Sequence, residues 1–178
     1  MDIRFDKYLA ENEDNELFKV IYYLYPERWK NIKVNNHFKD INNWSTDIKY
    51  LNDNGIDVSD EIKELPNNVG GIYFFFIKGE TLPFLENYPA YIGRAKITDN
   101  QNIKKRCLEY YYEFFKNDRR VKIAKMISKW GNYLYLKYIA LTDNELISKS
   151  EAILINGILP PFNDKIPIIT FEESVDAF

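Results

Sequence analysis

Cysteine and histidine are almost absent from this chain of 178 residues, and each shortage removes a class of site. The single cysteine, Cys107, leaves no internal disulfide and fits a reducing compartment, so we expect a cytoplasmic protein. The single histidine, His37, excludes a metal site built from several histidines and disfavours a histidine triad. No apolar run approaches the roughly 20 residues of a membrane-spanning helix, so no membrane partner is expected.

The chain also lacks a net positive charge, since 24 lysines and arginines stand against 27 acids, but the positive charges are concentrated in one stretch. Between Arg94 and Trp130, eleven lysines and arginines stand against four acids, which makes this segment +7 and the remainder −10. A local basic surface can bind a phosphate backbone although the whole protein is anionic. The alternative is a solvated helix face. The candidate nucleic-acid-binding residues are Lys96, Lys104, Lys105, Lys122, Lys125 and Lys129.

Apolar and aromatic residues are abundant, at 46% and 16% of the chain, as is typical of a globular protein. The run GIYFFFIKG (71–79) alternates as a strand covered on both faces would. We expect AYIGRA (90–95) to be its neighbour, after a hairpin loop containing Gly79, Pro83 and Pro89. The aromatic run YLYLKYIAL (133–141) predicts a third strand.

Helical periodicity fills most of the remaining chain. It predicts helices over 15–25, 38–52, 103–116 and 119–130, and a short helix after Ser59. The last of the long helices should bury Ile123, Ile127 and Trp130. Thr142 and Glu145 form a capping-box pattern, which predicts a helix that ends near Gly157. A final edge strand is expected over 166–171.

The two strand runs carry Gly71-Ile72-Tyr73 and Tyr91-Ile92-Gly93-Arg94. Further along the chain come Arg106, Tyr110, Glu151 and Asn163, in that order. This ordered set, from about residue 70 to 163, resembles the GIY-YIG nuclease family. The twelve-residue step from Glu151 to Asn163 is similar to that of the family's excision-repair branch.

The resemblance implies an α+β fold, in which a small three-stranded, mainly antiparallel sheet is flanked by helices. We expect this nuclease-like domain to span 70–165. Residues 1–69 would form a helical N-terminal extension that packs on it, because no linker-like composition separates the two. Residues 166–178 would supply a C-terminal strand and tail.

The resemblance also implies roles for individual residues. Glu151 would bind Mg²⁺ or Mn²⁺, and the catalytic set would be Tyr73, Tyr91, Arg94, Arg106, Tyr110 and Asn163. Arginine can hold phosphate in fork geometry, and nearby cations favour the phenolate form of a tyrosine. Which tyrosine assists the attacking water stays open. Each residue also has a structural alternative: a buried charge partner for Glu151, a solvated basic run for Arg106, and core aromatics for the tyrosines.

These inferences together predict a metal-dependent endonuclease that hydrolyses phosphodiester bonds in DNA, with RNA as an open alternative substrate. The other interpretation is a module of the same fold that binds nucleic acid or a protein without cutting. All the motif residues are present, which favours the enzyme, since a binding module would be free to lose Glu151.

Overall fold

A computed structural model of the protein describes residues 35–79, 87–115 and 121–163. These form a four-stranded antiparallel sheet in the order β1-β4-β2-β3. The strands are β1 (Ile48–Lys49), β2 (Gly70–Ile77), β3 (Tyr88–Ala95) and β4 (Leu134–Leu141). The α-helices are α1 (Asn36–Lys39), α2 (Asp60–Lys63), α3 (Ile103–Phe115), α4 (Val121–Trp130) and α5 (Asn144–Ile158). Short 3₁₀ turns cover Ile41–Asn43 and Gly131–Tyr133.

Strand β2 is the centre of the sheet and is covered on both faces, as its unbroken apolar run predicts. On one face, Tyr73 and Phe75 belong to a core cluster that also contains buried side chains of α3 and α4. On the other face, Ile72 packs in a second cluster with residues of α5. Each fully buried side chain of this size contributes about 1.5–3 kcal/mol. The helices therefore enclose the sheet from both sides.

The helix expected over 38–52 is wrong. In its place lie α1, a 3₁₀ turn and strand β1, which pairs with β4 through Ile48 and Leu136. Asn, Ser, Thr and Asp are frequent between 40 and 47, and their side chains compete with a helix for the backbone. Asp40 indeed accepts from the backbone N–H of Asn42, and the Ser45 hydroxyl accepts from that of Tyr138. The extension thus adds a fourth strand instead of a long helix.

Helix α4 differs from its prediction in detail. Ile123 and Ile127 are buried as expected, but Trp130 is 40% exposed and Lys125 is only 7% exposed. Ala124 and Met126 are buried as well, so the covered stripe is wide enough to enclose the aliphatic stem of Lys125. Trp130 is the last residue of the helix and is followed directly by the 3₁₀ turn.

Helix α5 begins one residue later than the capping-box pattern suggests. Asp143 is the cap, and its Oδ1 accepts from the backbone N–H groups of Glu145 and Leu146 at 2.8 and 3.1 Å. The helix ends at Ile158, and Leu159 follows in the left-handed conformation with φ 53°. Pro89, expected in the hairpin loop, lies inside β3, opposite Phe76. Because β3 is an edge strand, it tolerates a residue that lacks an N–H.

Several predictions fall on residues that the structure does not describe: the helix over 15–25, Pro83 in the hairpin loop and the strand over 166–171. Helix α2 follows Ser59 as expected, and Ser59 caps it. Within the described ranges, no helix is both long enough and apolar enough to cross a bilayer.

Candidate active site

The glycine of the second triplet is required by the packing of Tyr73. Gly93 lies directly opposite Tyr73 across the β2–β3 pair. A Cβ atom at Gly93 would stand 2.5 Å from Cε2 and Cζ of Tyr73. With no side chain there, the tyrosine ring crosses over β3, and its hydroxyl donates to the carbonyl oxygen of Arg94 at 3.4 Å. Gly93 therefore lets a side chain from the central strand reach the outer edge of the sheet.

The glycine of the first triplet serves the backbone instead. Gly71 has φ 151°, and a Cβ atom on it would collide with the carbonyl oxygen of Ile139 on β4. Any larger residue would push β2 away from β4 at the start of the strand. The two motif glycines are thus explained by close approach.

Three tyrosine hydroxyls meet beside Gly93. The Oη atom of Tyr110, on α3, lies 2.6 Å from that of Tyr73 and 3.1 Å from that of Tyr91. One assignment of protons satisfies every contact: Tyr91 donates to Tyr110, Tyr110 donates to Tyr73, and Tyr73 donates to Arg94. Tyr73 and Tyr110 are fully buried, while Tyr91 is partly exposed. Burial raises the pKa of Tyr73 well above its usual value.

Arg106 lies on the same face of the sheet as the tyrosines. Its guanidinium is 5.1 Å from the ring centre of Tyr110, and its Nη1 atom is 2.8 Å from Oε2 of Glu109. Burial would lower the pKa of Arg106, but Tyr110, Tyr73 and Glu109 outweigh burial and raise it. The guanidinium therefore stays charged, and its orientation is fixed from two sides.

Arg94 and Glu151 form an ion pair on the opposite face. Arg94 is opposite Ile72 in the sheet, so its side chain lies on the side of α5. Its Nη1 atom is 2.7 Å from Oε2 of Glu151. Burial raises the pKa of Glu151, although Arg94 and Arg106 act in the opposite direction. Among the described residues, the carboxylate is thus a mostly covered acid with one direct charge partner, Arg94.

The groups from the two faces meet around the outer edge of β3. They line one pocket of about 400 Å³. The structure brings together six of the predicted residues of catalysis and metal binding, and the roles of these residues stay predictions. The lining residues are Tyr73, Tyr91, Arg94, Lys96, Thr98, Gln101, Arg106, Tyr110 and Glu151.

Sequence reasoning did not single out Gln101 or Glu109. Gln101 lines the pocket, and its Nε2 atom donates to both carboxylate oxygens of Glu109 at 3.0 and 3.2 Å. Glu109 in turn holds Arg106. The only signal was the three-residue step between Arg106 and Glu109, which places oppositely charged side chains together on a helix. Gln101 lies in a polar loop, where no periodicity marks it.

Asn163 is not brought into the pocket. Its Oδ1 accepts from the backbone N–H of Ile92 at 3.0 Å, and its Nδ2 donates to the Ile92 carbonyl at 2.8 Å. Asn144, near the start of α5, holds the N–H and carbonyl of Ile97 in the same way, at 2.8 and 2.9 Å. Two asparagines flanking α5 therefore clasp the β3 segment on either side of Arg94.

The three candidate nucleic-acid-binding lysines of α4 do not form one exposed surface. Lys125 is buried, and Lys122 is partly buried with its Nζ donating to the carbonyl of Asn163 at 3.1 Å. Lys129 alone of the three is exposed. Nearer the pocket, Lys96 lines its wall and is exposed. On α3, Lys105 is exposed and Lys104 is partly buried.

The acidic groups of the pocket limit which kind of metal ion its residues could hold. Glu151 is the only carboxylate among its lining residues, and no cluster of three acids, histidines or cysteines occurs within the described ranges. A single carboxylate, completed by water and phosphate oxygens, is an ordinary arrangement for Mg²⁺. It would not suit zinc, which takes three or four protein ligands.

Comparison of the chain with protein-family models, with curated proteins and with solved structures found no match.

Proposed function

We propose that this protein is a GIY-YIG-type endonuclease that hydrolyses DNA phosphodiester bonds with Mg²⁺ or Mn²⁺. The observation that carries the proposal is the convergence of three tyrosine hydroxyls, two arginines and one carboxylate around the edge of β3. These side chains come from four elements and from both faces of the sheet. Gly93 also leaves room for Tyr73 to reach this edge, and Gly71 allows the close approach of β2 to β4.

The two arginines supply phosphate binding. Arg106 is fixed by Glu109 and Tyr110 with its guanidinium at the pocket wall. Arg94 enters the pocket from the other side of β3. A phosphodiester between them would receive charge-assisted hydrogen bonds that strengthen as negative charge develops in the transition state. Lys96 at the same wall would contact a neighbouring phosphate, without reading sequence.

The tyrosine cluster supplies a route for the proton of the attacking water. Tyr91 is the partly exposed member, and its hydroxyl is linked through Tyr110 to Tyr73. Burial keeps Tyr73 protonated, so Tyr73 acts as a neutral hydrogen-bonding group beside Arg106. One tyrosine of this cluster would first release its own proton to solvent, and the positive charge of Arg106 favours the phenolate that forms. That phenolate would then accept the proton of the attacking water and return to the neutral hydroxyl.

Glu151 supplies the metal ligand. A cation bound there would provide Lewis acidity for the phosphate and for the departing oxygen. The chain's own contribution is to place one carboxylate on a helix that faces the phosphate-binding arginines. Helix α5 is held in this position by the two asparagine clasps described above.

The direct test is single-turnover cleavage of plasmid DNA in Mg²⁺ and in Mn²⁺, beside a thermal melt. Glu151→Gln keeps the shape of the side chain and removes the anionic ligand, so it should abolish cutting while DNA binding persists. The matched control is Glu145→Gln, which changes an exposed carboxylate on the same helix. Normal cutting by folded Glu151→Gln would refute the proposal.

One observation favours the second candidate, a non-cutting module of the same fold. The ion pair with Arg94 already satisfies Glu151, as a structural carboxylate would be satisfied. In that case Mn²⁺ should not bind at the pocket, and Glu151→Gln should alter stability and nothing else. Mn²⁺ binding that depends on Glu151 would exclude this candidate.

A further inference from the structure

The ion pair between Arg94 and Glu151 places a protein cation on the carboxylate that the proposed function assigns to the metal. The two groups are 2.7 Å apart, and the side chains are 40% and 17% exposed. An oxygen atom that accepts a charge-assisted hydrogen bond from arginine is a poorer ligand for a second cation, and the guanidinium also repels that cation. A divalent metal must therefore compete with Arg94 for Glu151.

The two arginines of the pocket differ in what holds them. Arg106 is paired with Glu109, an acid outside the pocket lining, and it also lies against the ring of Tyr110. A metal at Glu151 leaves those contacts intact. Arg94 instead forms its ion pair with Glu151 itself, and its side chain is more exposed than that of Arg106. Of the two, Arg94 is the one that metal binding would displace.

The backbone around this pair is held firmly. Asn163 clasps Ile92 and Asn144 clasps Ile97, so β3 is tied to both flanks of α5, two residues before Arg94 and three residues after it. Displacement of Arg94 from Glu151 is therefore a rotation of one long side chain. The backbone of β3 and of α5 stays in place during this rotation. The Arg94 side chain therefore has two local positions, one on Glu151 and one away from it.

We propose that Arg94 couples the metal to the phosphodiester: it pairs with Glu151 in the free protein and transfers to a phosphate oxygen when a divalent cation takes the carboxylate. This inference rests on the proposed function. The phosphate gives the displaced guanidinium a new anion, so metal and nucleic acid each improve the binding of the other by the same factor. The free protein consequently binds metal weakly.

The test measures Mn²⁺ binding by electron paramagnetic resonance, which requires no cleavage. Without DNA, Arg94→Gln should bind Mn²⁺ about fivefold more tightly than the unaltered protein, the scale expected for one partly exposed ion pair. The matched control is Lys96→Gln, which removes an equal charge from the same pocket and leaves the ion pair intact. It should change Mn²⁺ affinity less than about twofold, as expected for a screened charge in solvent.

A second arm adds a short duplex with phosphoramidate linkages, which keep the negative charge of each phosphate and resist nucleases. At a concentration that saturates each variant, the duplex should tighten Mn²⁺ binding several-fold in the unaltered protein and in Lys96→Gln, but not in Arg94→Gln. Equal Mn²⁺ affinities of Arg94→Gln and Lys96→Gln would overturn the coupling and leave the nuclease proposal standing. Mn²⁺ binding that is unchanged in Glu151→Gln would overturn both.

Discussion

The clasp between Asn163 and Ile92 makes a quantitative prediction. Asn163→Ala removes two hydrogen bonds, at 3.0 and 2.8 Å, and leaves the N–H and carbonyl of Ile92 on the edge of β3 without this partner. Each such bond contributes about 1 kcal/mol net, so the free energy of unfolding should fall by about 2 kcal/mol. For a protein of this size that corresponds to a Tm lower by roughly 4–8 °C.

Thermal and urea melts would measure this loss, with Asn67→Ala as the control because Asn67 is exposed. The control should stay within about 0.5 kcal/mol of the unaltered protein. Asn163→Asp should also be destabilising at neutral pH, since it places a carboxylate against the Ile92 carbonyl. The pKa of that aspartate would be raised in the folded state, so its cost should shrink as pH falls and the acid becomes protonated.

The same variant separates a positioning role for Asn163 from the catalytic role that the family resemblance implies. Below its Tm, Asn163→Ala should retain single-turnover cleavage within a few-fold. A group that stabilises transition-state charge would instead cost on the order of a hundredfold or more. An Asn163→Ala protein that melts normally but has lost cleavage to that extent would refute the reasoning.

Three further predictions concern the pocket and the basic surface. Gly93→Ala should lower both Tm and cleavage, because the added methyl group meets the Tyr73 ring and such overpacking costs about 1–3 kcal/mol. A variant with normal Tm and normal activity would contradict this. Arg106→Lys should not restore the cleavage lost in Arg106→Ala, since lysine lacks the fork that Glu109 and phosphate require; rescue of single-turnover cleavage would contradict it. Lys125→Met should leave DNA affinity and its salt dependence unchanged, because the Lys125 side chain is buried. Lys96→Glu should instead weaken binding to all DNA sequences, as measured by affinity over a range of salt concentrations.

The acid–base behaviour of Glu151 makes another prediction. Its pKa is raised in the folded state, so ionisation costs stability as pH rises from the unfolded value of about 4.3 through the folded value. Glu151→Gln removes that cost. The variant should therefore melt at or above the temperature of the unaltered protein at pH 7, and the difference should vanish toward about pH 3, where the carboxyl group is protonated in both states. A variant that unfolds at pH 7 would show that the carboxylate stabilises the fold.

The sequence by itself determined the central elements. The run GIYFFFIKG is typical of a strand covered on both faces, and the helical periodicity over 103–116 is typical of a helix, so the positions of these elements follow from local patterns. Prediction was wrong where short polar segments decide the conformation. Between 38 and 52, a helical spacing of apolar residues coincided with Asn, Ser and Asp side chains that bond the backbone, and pairing with β4 selected a strand.

Only the tertiary structure decided which motif residues can act together. Tyr73 and Arg94 point to opposite faces of the sheet, and no spacing in the chain indicates that their groups meet around the edge of β3 at Gly93. The same holds for the Arg94–Glu151 ion pair and for the engagement of Asn163 with Ile92. These contacts join residues that are distant in sequence, so they depend on strand register and helix docking. A local sequence pattern indicates neither the register of a strand nor the docking of a helix.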